Sequence, residues 1–481
     1  MANLLATLLN SSAALDVYDR VLEVTQSNVT NSSTPGYAKQ SLRLEALPFD
    51  PAKGLPGGVT AGEMQSSRDE YAEQAVRRQT SQLGHEQQAA TTLTALQGVF
   101  DISGEIGLPH ALNQFFQAAS AWGQAPGSTA ARQTVIERAI DVAQNFRASA
   151  TTLQNLTRDT ETQFKNTVDQ VNRLVGQIQQ YNHFVQQSVS GPHDMGMDAQ
   201  VHADLENLSE LIDFNAVRQT DGTTTILLNG RVPLLVGEQQ FPLSAQMAMP
   251  SAPSPINDNA PPFARLVASD GSDVTAQTTD GKLGALLDLR NRVLSSYIGD
   301  AYQPGSLNRM ASQFADRVNE ILTSGNISDG PPPVPGVPIF RCDATNATIA
   351  ALTLTVDPTV TPDQLPLISP GPPYVGNGIP LALSQLSVPS DDADRIDGVS
   401  YSEFYGQMAS KVGGLLKSAQ GGTQVQQSLV AQAKNQRQQL SGVSLDEEAM
   451  ILVEFQRAYQ ANSRFITVLD QLTQETIDIL R

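Results

Sequence analysis

The two ends of this chain carry matching amphipathic helix patterns with no partner nearby in the sequence. From Leu4 to Gln40 the sequence predicts a long helix that ends in a polar turn. Steps of four and three residues along that helix give an apolar stripe broken by small hydroxyl residues: Leu4, Leu8, Ser11, Leu15, Tyr18, Leu22, Thr25 and Val29. The final segment has a corresponding stripe: Leu445, Leu452, Phe455, Tyr459, Ile466, Leu469 and Leu480. The two ends are therefore predicted to pair as a coiled coil.

A single helix with one apolar stripe is marginally stable in water, because its own hydrogen bonds barely offset the entropy lost on ordering the backbone. We therefore expect residues 1–45 and 441–481 to form a terminal coiled-coil domain. This domain should be disordered in the free monomer and fold when the two ends meet each other and neighbouring subunits.

Between the ends, helical patterns flank two irregular insertions. Residues 41–59 are rich in Pro and Gly and are expected to be an extended connector. Helical patterns predict a rod domain built from residues 46–214, 281–325 and 399–440, and one long helix from about Ser128 to Gln187 is expected to contain a break. A further helix is predicted from Gly281 through Leu322.

Residues 215–280 and 326–398 are predicted to form β-rich outer insertions. Strand patterns lie at 225–228, 232–236 and 351–356, with turns at Asp221-Gly222 and Asn229-Gly230. The predicted fold is mainly α with β-rich insertions, in which a terminal-helix coiled coil and outer β domains flank a long helical bundle body.

Composition excludes several classes of function. The formal charge of −19 and the lack of clustered Lys and Arg argue against a nucleic-acid partner. No apolar run of about 18 residues is present, so no membrane insertion is expected. The apolar N-terminus has no basic residue before Arg20, which does not fit a cleaved signal peptide. The single cysteine, Cys342, cannot form an internal disulfide.

No motif indicates catalysis or a cofactor: a phosphate-binding loop, a nucleophile elbow and a Cys-His pair are all missing from the sequence. One crowded region could be imagined as a metal site, although we interpret it as solvated surface: His193, Asp194, Asp198, His202 and Asp204. Residues 391–398 are similar to a calcium loop, but Ile396 stands where an oxygen ligand is needed. They are predicted to form a turn before a helix at Tyr401.

The polar turn carries the first sign of a family. Residues 27–40 resemble the Asn-rich, Gly-Tyr signature of the bacterial flagellar axial proteins, which comprise rod, hook and hook-associated proteins; the matching positions include Asn28, Asn31, Gly36 and Tyr37. Residues 444–448, with Phe455-Gln456 and residues 459–462 after them, resemble the C-terminal signature of the same family. Positions Arg68, Tyr71 and Phe100 also match it.

A second block resembles the family of hook-associated protein 1 more closely than the simpler rod and hook proteins. It runs from Gly107-Leu108 through Leu112 and Phe115-Phe116, and is followed by Pro126 and residues 131–133. The resemblance departs from the family pattern at 197–204 and at 321–325.

The resemblance implies a structural subunit at the junction between hook and filament, with no enzymatic activity. Implied partners are other copies of the chain in a ring, the flagellar hook protein, the second hook-filament junction protein and an export chaperone. Export through the flagellar type III apparatus would place the protein outside the cell. Assembly contacts are expected at these residues: Leu4, Leu8, Leu15, Tyr18, Leu22, Asn28, Asn31, Gly36, Tyr37, Leu445, Leu452, Phe455, Tyr459, Asn462, Ile466 and Leu469.

Two alternatives stay open at this point. The chain could be a hook or rod subunit, although the long helical block argues against it. It could instead be an exported adhesin or host-contact protein that shares the axial ends and binds through its β insertions.

Overall fold

The computed structural model describes residues 2–50, 55–100, 106–187, 195–250, 259–328, 330, 332–343, 345–371 and 373–479. Its helices are α1 (Ala2–Thr30), α2 (Glu70–Gln97), α3 (Gly107–Gln124), α4 (Thr129–Gln187), α5 (Met195–Leu211), α6 (Gly281–Asp288), α7 (Ser295–Ile298), α8 (Ser306–Ser324), α9 (Ala350–Thr353), α10 (Gly378–Gln385), α11 (Tyr401–Ser441) and α12 (Leu445–Ile479). Its strands are β1 (Gln40–Asp50), β2 (Leu55–Ser66), β3 (Phe214–Arg218), β4 (Thr224–Leu228), β5 (Val232–Val236), β6 (Gln239–Gln240), β7 (Ser244–Ala248), β8 (Phe263–Val267), β9 (Asn326–Ser328), β10 (Val334–Pro335), β11 (Phe340–Arg341) and β12 (Thr355–Val356).

The chain runs outward and then returns along itself. The N-terminal helix α1 packs against the C-terminal helix α12, and α2 packs along α11. The segments between them build the body and the outer sheets. The predicted fold class, mainly α with β-rich insertions, is confirmed.

The core of the body is centred on Phe314 in α8. Its ring contacts five other aromatic rings, with centroid distances between 5.4 and 6.4 Å: those of Phe115, Phe116, Phe146, Phe340 and Tyr401. These rings come from α3, α4, β11 and α11, so a single buried side chain holds together segments that are distant in sequence.

Helix α4 connects this core to a second one. Its N-terminal half buries residues such as Phe146 in the body core, and its C-terminal half buries Phe164 and Ile178 against α5, α6 and the outer sheets. The expected break in this helix was wrong, because α4 is continuous over 59 residues. It contains no proline and only one glycine, Gly176, so nothing in its sequence interrupts the hydrogen bonds.

The outer sheet has the strand order β3-β4-β5-β6, and β7 and β8 form a separate hairpin. The strands predicted at 225–228 and 232–236 are confirmed as β4 and β5. Asn229 and Gly230 between them have φ angles of 48° and 67°, and the Arg231 amide closes this β-turn by donating to the Leu228 carbonyl oxygen over 3.1 Å.

Three predicted elements differ from the structure. Residues 41–50 and 55–59 are extended as predicted, but they belong to a long antiparallel ladder in which Gln40 of β1 pairs with Ser66 of β2, and not to a simple connector. Of the strand predicted at 351–356, residues 351–353 belong to the short helix α9, and only Thr355–Val356 form a strand. The helix predicted from Gly281 to Leu322 is broken between α7 and α8, where Gly299 and Gly305 have φ angles of 91° and 81°.

Candidate assembly interface

Helices α1 and α12 form an antiparallel pair. The rings of Tyr18 and Phe455 meet edge to face with centroids 5.7 Å apart, and Asn462 Nδ2 donates to the Ser11 carbonyl oxygen over 2.7 Å. At the other end of α1, Asn28 contacts Glu448 in the first turn of α12. The contact between the two rings is attractive beyond the burial of their surface. The hydrogen bond from the Asn462 side chain fixes the alignment of the two helices.

The apolar stripe predicted on α1 is only half-buried. Leu8, Leu15, Tyr18 and Leu22 keep part of their surface exposed, whereas Val17 and Val21 are more than nine-tenths buried. The reason is that α1 packs against both α12 and the β1-β2 hairpin. The predicted stripe assumed that α12 alone covers α1, so it missed the face of α1 that the β1-β2 hairpin covers. The side chain of Leu4 lies outside the described residues.

Helix α12 has two apolar faces. One face carries the predicted residues, of which Leu469 is buried and five others are half-buried: Leu452, Phe455, Tyr459, Asn462 and Ile466. The helical repeat of 3.6 residues places another set on the opposite face, and these side chains are exposed: Met450, Val453, Phe465, Val468 and Leu472. Leu445 is 55% exposed. The side chain of Leu480 lies outside the described residues.

Asn28 uses all of its hydrogen-bonding capacity where the two ends meet. Its Nδ2 donates to the Gln40 carbonyl oxygen (2.8 Å) and to Glu448 Oε2 (3.0 Å). Its Oδ1 accepts from the Tyr37 hydroxyl (2.9 Å) and from the Gln40 backbone amide (3.0 Å). Because both Asn28 and Glu448 are only 1% exposed, these bonds replace water that the amide and the carboxylate have lost.

Lys39 balances the charge of this buried carboxylate. Its Nζ lies 3.2 Å from Glu448 Oε1 and 2.9 Å from Glu447 Oε2. Burial acts to lower the pKa of Lys39, but the two carboxylates outweigh it and the pKa lies above the usual value. The Lys39 backbone amide also donates to the Ser441 carbonyl oxygen, at the end of α11, over 2.9 Å.

Glu447 lies in the first turn of α12, three residues after Ser444, a spacing at which a capping box can form. Its backbone amide donates to Ser444 Oγ only over a long distance, 3.5 Å, and its carboxylate pairs with Lys39 instead. Sequence analysis assigned no role to Glu448. Its position in the first turn of α12, at the end of the acidic run 446–448, gives no local sign that it faces Asn28.

The turn after α1 is held by Asn31 and lies flat on α5. Asn31 Nδ2 donates to the Ser27 carbonyl oxygen (3.0 Å), and Asn31 Oδ1 accepts from the Thr34 hydroxyl (3.2 Å). Gly36 has a φ of 76°, and a Cβ there would lie 2.1 Å from the Ala199 carbonyl oxygen. Glycine is therefore required both by the backbone angle and by the close approach to α5.

The region considered as a metal site has a different structure. Asp198 and His202 are both more than nine-tenths buried, so their interpretation as solvated surface was wrong. Asp198 accepts from Arg68 (2.9 Å) and Arg218 (2.8 Å). Among the residues that the structure describes, no group of His, Cys, Asp and Glu side chains is placed to hold a metal ion. His193 and Asp194 lie outside the described residues.

The turn predicted at 391–398 is confirmed. Ile396 is fully buried, and its backbone bridges to Val399 just before α11. The nearby carboxylates face arginines: Asp394 accepts from Arg317 Nε over 2.7 Å, and Asp397 accepts from Arg309. A calcium-loop role would need these oxygens to face a common centre.

In the described parts of the chain, no helix combines the length and the apolar character needed to cross a bilayer.

Comparison with known proteins gives two family matches. The family described as "Flagellar hook-associated protein FlgK helical domain" matches residues 93–340, and the family described as "Flagellar basal body rod FlgEFG protein C-terminal" matches residues 434–479. The first match spans more than half of the chain. The second covers the end of α11 and almost all of α12.

Individual relatives agree with this. Flagellar hook-associated protein 1 of Bacillus subtilis (strain 168) is 24% identical over 508 residues, an alignment that covers 97% of this chain and 96% of the relative. The solved structure of the flagellar hook junction protein FlgK from Burkholderia pseudomallei has a TM-score of 0.63 at 15% identity and covers 76% of this chain and 99% of its own.

The resemblance seen in the sequence is thus confirmed. The protein is exported, is part of the flagellum and associates with its axial components. The chain belongs to the family of flagellar hook-associated protein FlgK, and it is a structural component of the bacterial flagellum.

Proposed function

We propose that this protein forms the junction between the flagellar hook and the filament. The observation that carries the proposal is the antiparallel pairing of α1 with α12, closed by the buried bond between Asn28 and Glu448. Such a pair presents both ends of one chain as a single rod. Subunits with rods of this kind can stack side by side in a tube.

The exposed face of α12 supports assembly with further copies. Phe465, Val468 and Leu472 each leave close to half of their surface exposed, on the side of α12 away from α1. Leu9 of α1 is 64% exposed. Apolar rows of this length on a soluble protein favour burial against another chain, and neighbouring copies of the same rod offer a matching surface.

The proposed domains follow from these contacts. The terminal coiled-coil domain, residues 1–45 and 441–481, is the part that assembles, and it is called the terminal rod here. It orders fully only when neighbouring subunits cover it. The rod domain predicted from the sequence, residues 46–214, 281–325 and 399–440, is called the body here, and 215–280 are assigned to the outer surface. Residues 326–398 were expected on the outer surface as well, but their side chains Ile339, Phe340 and Leu354 are buried in the body core. The residues predicted from the sequence to make assembly contacts are assigned to the terminal rod and to the turn that follows α1.

The specific partners are part of the proposal. The flagellar hook protein would lie below the ring of subunits, and the second hook-filament junction protein would lie above it. An export chaperone would cover the apolar face of α12 before secretion. The role is structural and requires no catalysis or cofactor.

Membership of the hook-associated family favours this role over that of a hook or rod subunit, because the match over 93–340 lies in the helical domain of hook-associated proteins. No contact among the described residues favours the adhesin alternative.

The test is a strain that lacks this gene, examined by electron microscopy with flagellin measured in the medium. We expect hooks without filaments, together with flagellin shed from the cells. Restoring the gene should restore filaments. Missing hooks would move the protein to the rod or the hook, and normal filaments would refute the proposal.

A further inference from the structure

We infer that Arg68 is a positioning residue that locks the base of the terminal rod onto the body and couples it to the outer sheet. The base is defined here as residues 31–40, between α1 and β1. This inference does not depend on the hook-filament role, since it concerns contacts within one chain.

Arg68 bridges three acceptors from three segments. Its Nη2 donates to the Gly36 carbonyl oxygen (2.7 Å) and to Asp198 Oδ2 (2.9 Å), while its Nη1 donates to Glu73 Oε1 (2.8 Å). The side chain is only 5% exposed. A guanidinium can serve several acceptors at fixed angles, which a lysine ammonium does poorly.

The Gly36 carbonyl is held in reach by the close contact between the turn and α5. Gly36 lies directly against the backbone of Ala199 and Ala203, the residues around the helical turn that carries Asp198. A shift of the base away from α5 would break the bond to Arg68. The position of the base and the geometry of the Arg68–Asp198 pair therefore change together.

Asp198 extends the contact to the outer sheet. Its second oxygen, Oδ1, accepts from Arg218 Nη1 over 2.8 Å, and Arg218 is the last residue of β3. Arg218 Nη2 also contacts the Tyr181 hydroxyl on α4 over 3.3 Å. Asp198 thus stands between a cation that holds the base and a cation that belongs to the outer sheet.

Glu73 extends the contact in the other direction. Its Oε2 accepts from Arg437 Nη1 on α11 (3.1 Å), and the same Nη1 donates to Glu206 Oε2 on α5 (2.8 Å). Glu206 also pairs with Lys434 over 2.7 Å. Helices α2, α5 and α11 are thereby tied to Arg68 through charged hydrogen bonds.

At neutral pH, Asp198 is ionised and His202 is neutral. Burial acts to raise the pKa of Asp198, but the charges of Arg68 and Arg218 outweigh it and keep the pKa below its usual value. Burial and the nearby Arg68 lower the pKa of His202 to about 3, so His202 stays neutral. Asp198 is therefore shared by two arginines without competition from a third cation.

The inference makes a non-local prediction. Arg218 does not touch the base, yet its removal frees one side of the Asp198 carboxylate and leaves part of a buried charge without a partner. Arg68 would then follow the carboxylate and loosen its bond to Gly36. A side chain in the outer sheet would in this way control the mobility of the base.

The experiment is hydrogen exchange, read by mass spectrometry, on peptides from residues 31–40 of the full-length monomer. In the wild-type chain we expect the amides of the base to be protected while those of α1 exchange fast. Arg68→Gln should speed exchange in the base by about tenfold or more, and Arg218→Gln by about threefold or more. Arg68→Lys should fall between Arg68→Gln and the wild type.

The matched control is Arg265→Gln. Arg265 lies on β8 in the same outer region, and its side chain is 30% exposed against 35% for Arg218. It pairs with Asp273, and no contact among the described residues joins it to Arg68, Asp198, Glu73 or Arg218. Exchange in the base should be unchanged in this variant.

Two outcomes would overturn the inference: a base that is fully exchanged at the shortest labelling time in the wild type, or equal exchange in Arg218→Gln and Arg265→Gln. Circular dichroism reports whether the body stays folded. If Arg68→Gln unfolds the body, the comparison of Arg218→Gln with Arg265→Gln decides alone. A positive result would restrict the disorder expected over residues 1–45 to the part outside the base.

Discussion

Asn28 and Glu448 lie 420 positions apart in the sequence, and the amide of one donates to the carboxylate of the other over 3.0 Å in a fully buried contact. This bond closes the chain on itself at the point where the terminal rod meets the body. An unpaired carboxylate would be strongly disfavoured there, so the two ends depend on each other.

Replacing Asn28 with alanine should prevent stable pairing of the two ends. The change leaves the Tyr37 hydroxyl, the Gln40 amide and carbonyl, and one Glu448 oxygen without a bond that they make in the wild type. Each buried polar group left without a partner costs about 1 to 3 kcal/mol, so the loss should exceed about 3 kcal/mol. We expect few filaments on the cells and flagellin in the medium when this variant replaces the wild type.

The matched control for that variant is Asn145→Ala, which lies outside the predicted assembly contacts. Asn145 bonds locally, to the Asp141 carbonyl oxygen within α4 over 2.9 Å, and is part-exposed. Its loss should cost about 1 kcal/mol or less and leave filaments present. Equal defects in the two variants would show that the Glu448 contact has no special importance.

The contact between Tyr18 and Phe455 should act as a coupled pair. Tyr18→Ala and Phe455→Ala should each lower the temperature at which the protein is released from isolated flagella. The double variant should lose less than the sum of the two, with a coupling of about 0.5 to 1.5 kcal/mol.

Phe465→Ala serves as the comparison, because Phe465 lies on the other face of α12 and is 47% exposed. Its effect should add to that of Tyr18→Ala without coupling. If the effects of Tyr18→Ala and Phe455→Ala also simply add in the double variant, the proposed coupling between these two rings is contradicted.

Limited trypsin digestion of the free monomer should remove the terminal helices and spare the body. Arg20 in α1, and Arg457 and Arg464 in α12, are exposed in the structure and would lie on poorly ordered helices before assembly. Arg290 is 1% exposed within the body and should resist cleavage. Mass spectrometry of the fragments gives the cut positions. Intact ends after extended digestion would contradict the proposed disorder.

The buried His202 should make the stability of the body depend on pH. Its pKa is lowered from 6.5 to about 3 in the folded chain, so between these values the unfolded chain binds a proton that the folded chain does not. Stability is then complete above about pH 6.5 and declines as the pH falls, by up to about 1.4 kcal/mol per pH unit. Urea unfolding between about pH 5 and pH 6.5 measures the slope.

His202→Asn should reduce the slope of the unfolding free energy against pH by the amount that one bound proton contributes, up to about 1.4 kcal/mol per pH unit. The control Ser209→Ala, at a buried residue of α5 that does not titrate, should leave it unchanged. An unaltered slope in His202→Asn would mean that the ring is protonated in the folded chain.

Sequence reasoning succeeded where a pattern depends on neighbours in the chain. The long stripe from Leu153 to Val185 predicts α4, and Asn229-Gly230 predicts the hairpin turn between β4 and β5. The signature from Asn28 to Tyr37 pointed to the flagellar axial family. These features depend on local periodicity and backbone angles that the sequence carries directly.

The contacts that build the candidate interface could not be predicted in this way. Val17 and Val21 are buried because a hairpin covers a second side of α1, and the pairing of that hairpin was not foreseen. Asp198 and His202 look like surface residues in the sequence, yet Arg68, just before α2, and Arg218 of β3 make the burial of Asp198 possible. Glu448 gains its role only from a residue at the other end of the chain.

The separation of Asn28 from Glu448 also has a consequence for biosynthesis. At about 5 to 20 residues per second, a ribosome needs roughly 20 to 80 seconds to add the 420 residues between them. During that interval α1 has no partner helix, and any apolar surface on it is open to aggregation. The hydroxyl residues Ser11 and Thr25, which interrupt its apolar stripe, weaken that surface while the helix waits. A more continuous leucine stripe would pair more tightly in the flagellum but would make the nascent chain more prone to aggregate.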